Sequence, residues 1–348
     1  MAYSTITKPS LHFNTKLFTG TGSSNALTGI GFQPDWVWIK DRQDTHNHNL
    51  FDAVRGVTKR IHSDTTDAET TNAESLKSFD SDGFTLGTQT NVNQSGHTNV
   101  AWNWKAGGSG SANTDGSINT TATSINTTAG FSIITYTGTG SAGTIGHGLG
   151  VKPDFWQIKA RSETRAWYGW HKNLALGDKI TLNEDGAKTT DTSLFGTNAP
   201  TNQVINLGSS VGVNNSGQTF VCYAFAEKKG YSKMGAFTGN GNADGVFVYT
   251  GFKPAFLLIK IYSGTGQWTI FDNKRSSSGG GNEIDKILHP NVTNAENTAD
   301  DVDFLSNGFK MRNTAANANG SGSTYLYMAF AEEPLVANVG ASIPATAR

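Results

Sequence analysis

Gly31-Phe32-Gln33-Pro34-Asp35-Trp36-Val37-Trp38-Ile39-Lys40 is written three times in this chain. It returns as Gly150-Val151-Lys152-Pro153-Asp154-Phe155-Trp156-Gln157-Ile158-Lys159 and as Gly251-Phe252-Lys253-Pro254-Ala255-Phe256-Leu257-Leu258-Ile259-Lys260. Each copy opens on a proline, which lacks a backbone donor and suits the start of a strand. Aromatic and β-branched residues that favour strands then follow. Seventeen residues after each proline comes a second anchor: Phe51-Asp52, Trp170-His171 or Phe271-Asp272. The spacing predicts a threefold internal repeat.

Outward from this stretch the register stays tight. Thr19-Gly20-Thr21-Gly22-Ser23, Thr137-Gly138-Thr139-Gly140-Ser141 and Thr238-Gly239-Asn240-Gly241-Asn242 begin 15 or 16 residues before the proline. They read as turns whose glycines supply positive φ. Each unit closes on Ser95-Gly96, Ser216-Gly217 or Ser321-Gly322 and then alternates as a strand ending at Trp104, Phe225 or Phe330. Val100/Trp102/Trp104, Val221/Tyr223/Phe225 and Leu326/Met328/Phe330 form one apolar face at period two. The opposite face in the first copy, Asn99/Ala101/Asn103, reads as solvent-facing, whereas Phe220/Cys222/Ala224 and Tyr325/Tyr327/Ala329 read as covered. Within the Pro strand itself both faces are apolar. One belongs to the unit's own core and the other is expected to be covered by a neighbouring unit or subunit. Lys40, Lys159 and Lys260 are expected to mark where that strand emerges.

These signals predict an all-β chain of three tandem β-sandwich, jelly-roll-like units. Residues 1–12 are an N-terminal arm, 11–106 unit 1, 107–130 a Gly/Ser/Thr-rich connection with room for an added strand, 131–229 unit 2, 230–334 unit 3 and 335–348 a C-terminal tail. The spans from proline to closing aromatic are 70, 72 and 76 residues, so the frame is constant while the loops differ. Ser78-Phe79-Asp80-Ser81-Asp82-Gly83-Phe84 and Phe304-Leu305-Ser306-Asn307-Gly308-Phe309 read as hairpins. Unit 2 has no clear counterpart.

Composition excludes several classes. Of 348 residues, 41 are glycine and only 16% are charged, a balance suited to turn-rich β structure. The formal net charge of −1 gives no electrostatic case for nucleic acid or an anionic membrane. The single cysteine, Cys222, leaves neither an internal disulfide nor a cysteine zinc site. No apolar run is long enough for a membrane helix, and the polar start reads as no secretory signal.

No nucleophile elbow, P-loop, dinucleotide fingerprint or HExxH motif is present, and neither an enzymatic activity nor a cofactor is expected. His46 and His48, two residues apart, would point the same way in extended backbone and are the only candidate metal pair, but a solvated loop with two neutral histidines is the default reading and no metal is expected. Asp80-Ser81-Asp82-Gly83 resembles the start of a calcium loop but lacks the downstream glutamate, and reads as a β-turn. Asp52, His171 and Asp272 align, and a hydrogen bond that either side chain can make explains the swap better than catalysis. Among the tryptophans, Trp38 and Trp167 are the candidates for sugar stacking, because their aligned partners vary.

The stretches Gly31–Lys40 and Phe237–Lys260, with the closing strand Val100–Gly108 and the ending Ile343–Arg348, resemble a repeat domain of tail-fibre-like virion structural proteins from marine bacteriophages. The resemblance covers about 320 residues. It implies a structural protein of a phage particle, assembled in the host cytoplasm and located in the virion, and it carries over no binding residue. The expected role is a fibre or adhesin component, with capsid decoration or a carbohydrate-binding module as alternatives. Expected partners are other virion proteins, further copies of the chain (a trimer favoured) and a host surface glycan, with no nucleic acid and no membrane insertion.

Overall fold

The computed structural model describes residues 4–277 and 281–334. It is all-β, and the strand order repeats. In unit 1, β1 (Phe13–Thr19), β3 (Trp36–Asp41), β4 (Asn49–Asp52) and β7 (Thr98–Trp104) form an antiparallel sheet ordered β1-β7-β3-β4. Facing it, β2 (Asn25–Leu27), β5 (Leu76–Asp80) and β6 (Gly83–Leu86) form a second sheet ordered β2-β6-β5.

Unit 2 repeats the first sheet with β9 (Phe131–Thr137), β11 (Phe155–Ala160), β12 (Tyr168–His171) and β15 (Thr219–Phe225), ordered β9-β15-β11-β12. The 107–130 connection does supply an added strand, β8 (Thr120–Asn126), on the β9 edge. Beyond β12 the sheet continues through β13 (Asp178–Thr181) and Thr189–Thr190. Its second sheet is the pair β10 (Gly143–Gly146) and β14 (Val204–Leu207), so the hairpin missing from the sequence is missing from the fold. In unit 3, β16 (Ser232–Thr238), β18 (Phe252–Ile261), β19 (Trp268–Asp272) and β23 (Thr324–Pro334) are ordered β16-β23-β18-β19. Its second sheet is β17 (Phe247–Tyr249), β20 (Glu283–Ile287), β21 (Asn297–Leu305) and β22 (Gly308–Met311), ordered β17-β22-β21-β20.

Each Pro strand is buried on both faces, as its composition predicts. Val37 and Ile39 enter the core of unit 1, between its two sheets, and Leu257 and Ile259 enter that of unit 3. Trp36, Trp38, Phe155, Phe256 and Leu258 point the other way into one shared core that joins all three units. The neighbour that covers the second face is therefore another unit of the same chain. The closing strands obey the same rule: Val100, Trp102 and Trp104 pack in the shared core beside Tyr223, Phe225, Met328 and Phe330. Trp36 stacks on Tyr223 at 4.6 Å between ring centroids, and Phe13 on Phe330 at 5.2 Å. At ~25 cal/mol per Å² of apolar surface, this aromatic interior is the main reason the units stay together.

Two expectations need correction. Asn99, Ala101 and Asn103 do not face solvent; all three are fully buried under the second sheet. The Asn103 amide donates to the carbonyls of Asn14 and Ala101 at 3.1 and 3.0 Å, which is how a polar side chain survives there. Nor do Lys40, Lys159 and Lys260 mark an emergence, for they too are buried. Their ammonium groups are taken up by backbone carbonyls, Lys260 by Asp185, Ile261 and Gly266 at 3.0, 2.6 and 3.0 Å. The N-terminal arm is packed as well, with Ile6 in the shared core. The expectation for 335–348 lies outside the described residues.

A latch fixes each TGTGS-type turn. The Asn214 amide donates to the carbonyls of Ser141 and Gly208 and accepts from the Thr139 N–H, all within 2.9 Å. Asn93 and Asn319 make the aligned bonds in the other units. The same turn forces a glycine: a Cβ on Gly138 would stand 2.3 Å from the Asn215 carbonyl oxygen.

Candidate functional site

The three units close into a ring in which each reaches the next. Backbone N–H groups of Glu69, Lys188 and Glu296 donate to the carbonyls of Arg161, Tyr262 and Arg42 at 2.8, 3.1 and 2.9 Å. These tie unit 1 to unit 2, unit 2 to unit 3, and unit 3 back to unit 1. Lys159 and Lys260 reinforce the first two seams by donating to the Thr66 and Asp185 carbonyls.

The aligned Asp52/His171/Asp272 position belongs to these seams. Asp52 accepts from its own Arg55 and from the Tyr223 hydroxyl of unit 2 at 2.7 Å. Asp272 accepts from its own Arg275 and from the Trp102 indole of unit 1 at 2.9 Å. Arg55 and Arg275 pass the charge on to Glu69 and Glu296, each of which takes a two-pronged bond from the next unit's Arg161 or Arg42. Both arginine side chains inside the seams are fully buried. At the seam between units 2 and 3 every member changes together. His171, Leu174, Lys188, Tyr262 and Met328 stand where the other seams hold Asp, Arg, Glu, Arg and a Trp or Tyr donor. Without an indole or phenol to accept from, the carboxylate has no role. His171 keeps the bond common to all three anchors, accepting the Asn173 N–H at 3.1 Å as Asp52 and Asp272 accept those of Val54 and Lys274, and it reaches the Tyr327 carbonyl at 3.3 Å. The swap is explained by seam packing, as its alignment suggests.

Most of the remaining sequence candidates lie inside, although His46 is partly exposed and Asp82 is exposed. All eight tryptophans are buried, Trp38 and Trp167 among them. The Trp38 indole donates to Nδ1 of His48 at 2.9 Å, and that of Trp167 to the His62 carbonyl of unit 1 at 2.8 Å. Neither ring face is open to a sugar. His46 and His48 are not brought together: His46 bonds Asp41, whereas His48 bonds the Trp38 indole. His48 is fully buried, and burial pushes its imidazole well below the ordinary range. The His289 backbone faces it from unit 3, although Nε2 closes no hydrogen bond of normal geometry. His46 turns to Asp41, whose buried carboxylate it shares with His97 at 3.1 and 2.8 Å. No group of three or more His, Cys, Asp or Glu side chains placed to hold a metal occurs among the described residues. Asp82 serves as the turn that its neighbours demand, accepting the N–H groups of Gly29 and Gly31 at 2.9 and 2.6 Å. Cys222 is buried and its thiol is pushed up by that burial, the opposite of an activated nucleophile.

Among the described residues, the most exposed aromatic side chains lie on the outside of unit 3. Phe247 and Tyr249, on the edge strand β17, are 46% and 49% exposed, while Val248 between them turns into the core. The Phe247 ring lies over Gly308, its Cε2 3.1 Å from where a Cβ on that glycine would be. One edge of the ring thus lies against the sheet, and nearly half of the side chain is exposed. Lys233 stands over the Tyr249 ring, 5.1 to 5.5 Å being the range of such contacts here and 5.4 Å this one, and also donates to the Tyr249 carbonyl at 3.1 Å. Beside Phe247 on β22 is Lys310, paired with Asp244 and lying opposite Asp303. Arg312 bridges Asp244 and Asp303 at 3.5 and 3.4 Å. Neither of the other units carries an aromatic at these positions: the sheet registers align Phe247 and Tyr249 with Ala26 and Thr28 and with Thr144 and Gly146. That three-way comparison is the sequence signal that would have singled the pair out.

The chain matches no curated protein and no solved structure. A family model matches residues 8–334, almost the whole of the three-unit ring, and by that match the chain belongs to the family described as a domain of unknown function, DUF7483.

Proposed function

We propose that this chain is a non-enzymatic structural protein of a bacteriophage particle, of the tail-fibre or adhesin kind, contacting the host surface or other virion proteins. The observation that carries the reading is a division of labour within the repeat. The aligned polar and aromatic residues of the frame are taken up in holding three units in one ring, while the units differ on their outer faces. Recognition placed on variable surface over a rigid frame is a common arrangement. The repeat's resemblance to phage virion proteins supports the same reading.

Imaging of the particle with a labelled antibody against the chain tests it. Label at the tail supports the adhesin role, label over the shell supports capsid decoration instead, and purified particles free of label refute both.

A further inference from the structure

We infer that the outer sheet of unit 3 is a glycan-binding face on which Phe247 and Tyr249 stack successive rings of a neutral oligosaccharide. The inference rests on the adhesin reading and gives it a ligand class.

Aromatic platforms suit sugars because the C–H face of a pyranose is apolar while its rim is hydroxylated. Phe247 and Tyr249 are two residues apart on one strand, so their side chains leave the same face about 6.6 Å apart along it. An extended β-linked chain lying along β17 would meet both. The aliphatic side chains with comparable exposure, such as Leu176 and Val211, offer no planar π surface. The Phe247 ring already touches the sheet at Gly308, which limits the side-chain freedom lost on binding.

The surrounding charge points to an uncharged partner. Lys233, Lys310 and Arg312 stand among Asp244, Asp303, Glu283 and Asp301, Glu283 lying opposite Asp303 on β20 and Asp301 two residues before it on β21. A face with no surplus of positive charge offers no attraction to a polyanion, yet it holds donors and acceptors for hydroxyl groups. The asymmetry of the repeat agrees: only one unit of three carries the platform, as expected of a binding feature added to a frame rather than part of its packing.

The test is calorimetric titration of the full chain with cellohexaose, chitohexaose and, as a polyanion, polygalacturonate. Saturable binding of a neutral hexasaccharide is expected, weakened at least tenfold by Phe247→Ala or by Tyr249→Ala and abolished in the double variant. Phe247→Tyr and Tyr249→Phe should stay within threefold of the parent, which a loss of fold would not allow. Unchanged near-ultraviolet dichroism of the alanine variants checks the fold directly. Three results would overturn the inference: no neutral binding at millimolar sugar, binding that survives the double variant, or preference for polygalacturonate. Self-association abolished by the same substitutions would overturn it too, by making a second copy of β17 the occupant. Because none of these readouts depends on where the chain sits in a particle, a failed titration with a labelled tail retires the glycan face and leaves the adhesin reading standing.

Discussion

The Trp102 indole N–H donates to the Asp272 carboxylate at 2.9 Å, joining the closing strand of unit 1 to the anchor of unit 3 across 170 positions of sequence. The guanidinium of Arg275, paired with the same carboxylate, lies 5.5 Å from the centre of the Trp102 ring. One carboxylate thus closes the ring of units and neutralises a buried cation. Asp272→Asn is expected to lower stability by about 3–5 kcal/mol, because it leaves Arg275 with only Glu296. Trp102→Phe should cost about 2 kcal/mol for the lost bond and volume. Urea unfolding of both variants and of the pair checks this, and purely additive losses would show that the two residues are not coupled.

The apolar seam between units 2 and 3 is a template for the polar seam between units 1 and 2. Arg55→Leu alone leaves the buried Asp52 carboxylate without its cation and should cost about 3–5 kcal/mol, while Glu69 keeps Arg161. Combining it with Asp52→His and Tyr223→Met, the residue types found at His171 and Met328, is expected to recover more than half of that loss. A triple variant less stable than Arg55→Leu would show that the seams are not interchangeable. The melting transition reports either result.

Stability should climb from neutral to moderately alkaline pH. Burial lowers Lys40, Lys159 and Lys260 to about 8 from 10.5. Above pH 8 the folded lysines lose protons that the unfolded chain still holds, so the unfolded state binds more protons and stability rises with pH. By pH 9.5 the gain is at most about 2 kcal/mol per lysine. Above about pH 10 the buried phenols of Tyr136 and Tyr223, raised by burial, reverse the trend. On the acid side burial lowers His62 to about 4 and His171 to about 3, so stability falls as pH drops below 6.5. Asp64, raised by burial to about 6, opposes part of that fall. Urea midpoints at pH 4.5, 7.5 and 9.5 should rise in that order; a midpoint at 9.5 no higher than at 7.5 counts against the lysine account.

Gln157 is a polar residue at an apolar position. It aligns with Trp38 and Leu258, it is buried, and neither amide atom has a hydrogen-bond partner in the protein. It lines a cavity of about 20 Å³ with Trp36, Trp38, Leu258 and Met328 in the shared core. Gln157→Leu removes two unmet polar atoms and is expected to stabilise the chain by about 1–3 kcal/mol. A lower melting temperature would refute this.

Period-two alternation and threefold spacing were enough to read the all-β sandwich class and the burial of both faces of the Pro strand, because these depend on local pattern. The Phe304–Phe309 hairpin and the strand within 107–130 were legible for the same reason. Trp38 and Trp167 were misread as candidates because their partners vary between copies, and His48 because it stands two residues from His46. That variation reflects different neighbours across seams, which sequence spacing does not show.

The stretch around Pro34, Pro153 and Pro254 thus determined by itself that there are strands, that they recur, and that no face of them is free. Tertiary structure alone decided what covers the second face: the chain's own other units, closing on one aromatic core. It also decided that the lysines ending each strand stay inside, since backbone carbonyls accept their hydrogen bonds, nearby ones for Lys40 and ones from the preceding unit for Lys159 and the neighbouring unit for Lys260. Hydropathy is a property of residues in order, whereas ring closure depends on which residues 90 or 170 positions apart come within 3 Å, as Lys159 and Thr66 or Trp102 and Asp272 nearly or fully do at 3.1 and 2.9 Å.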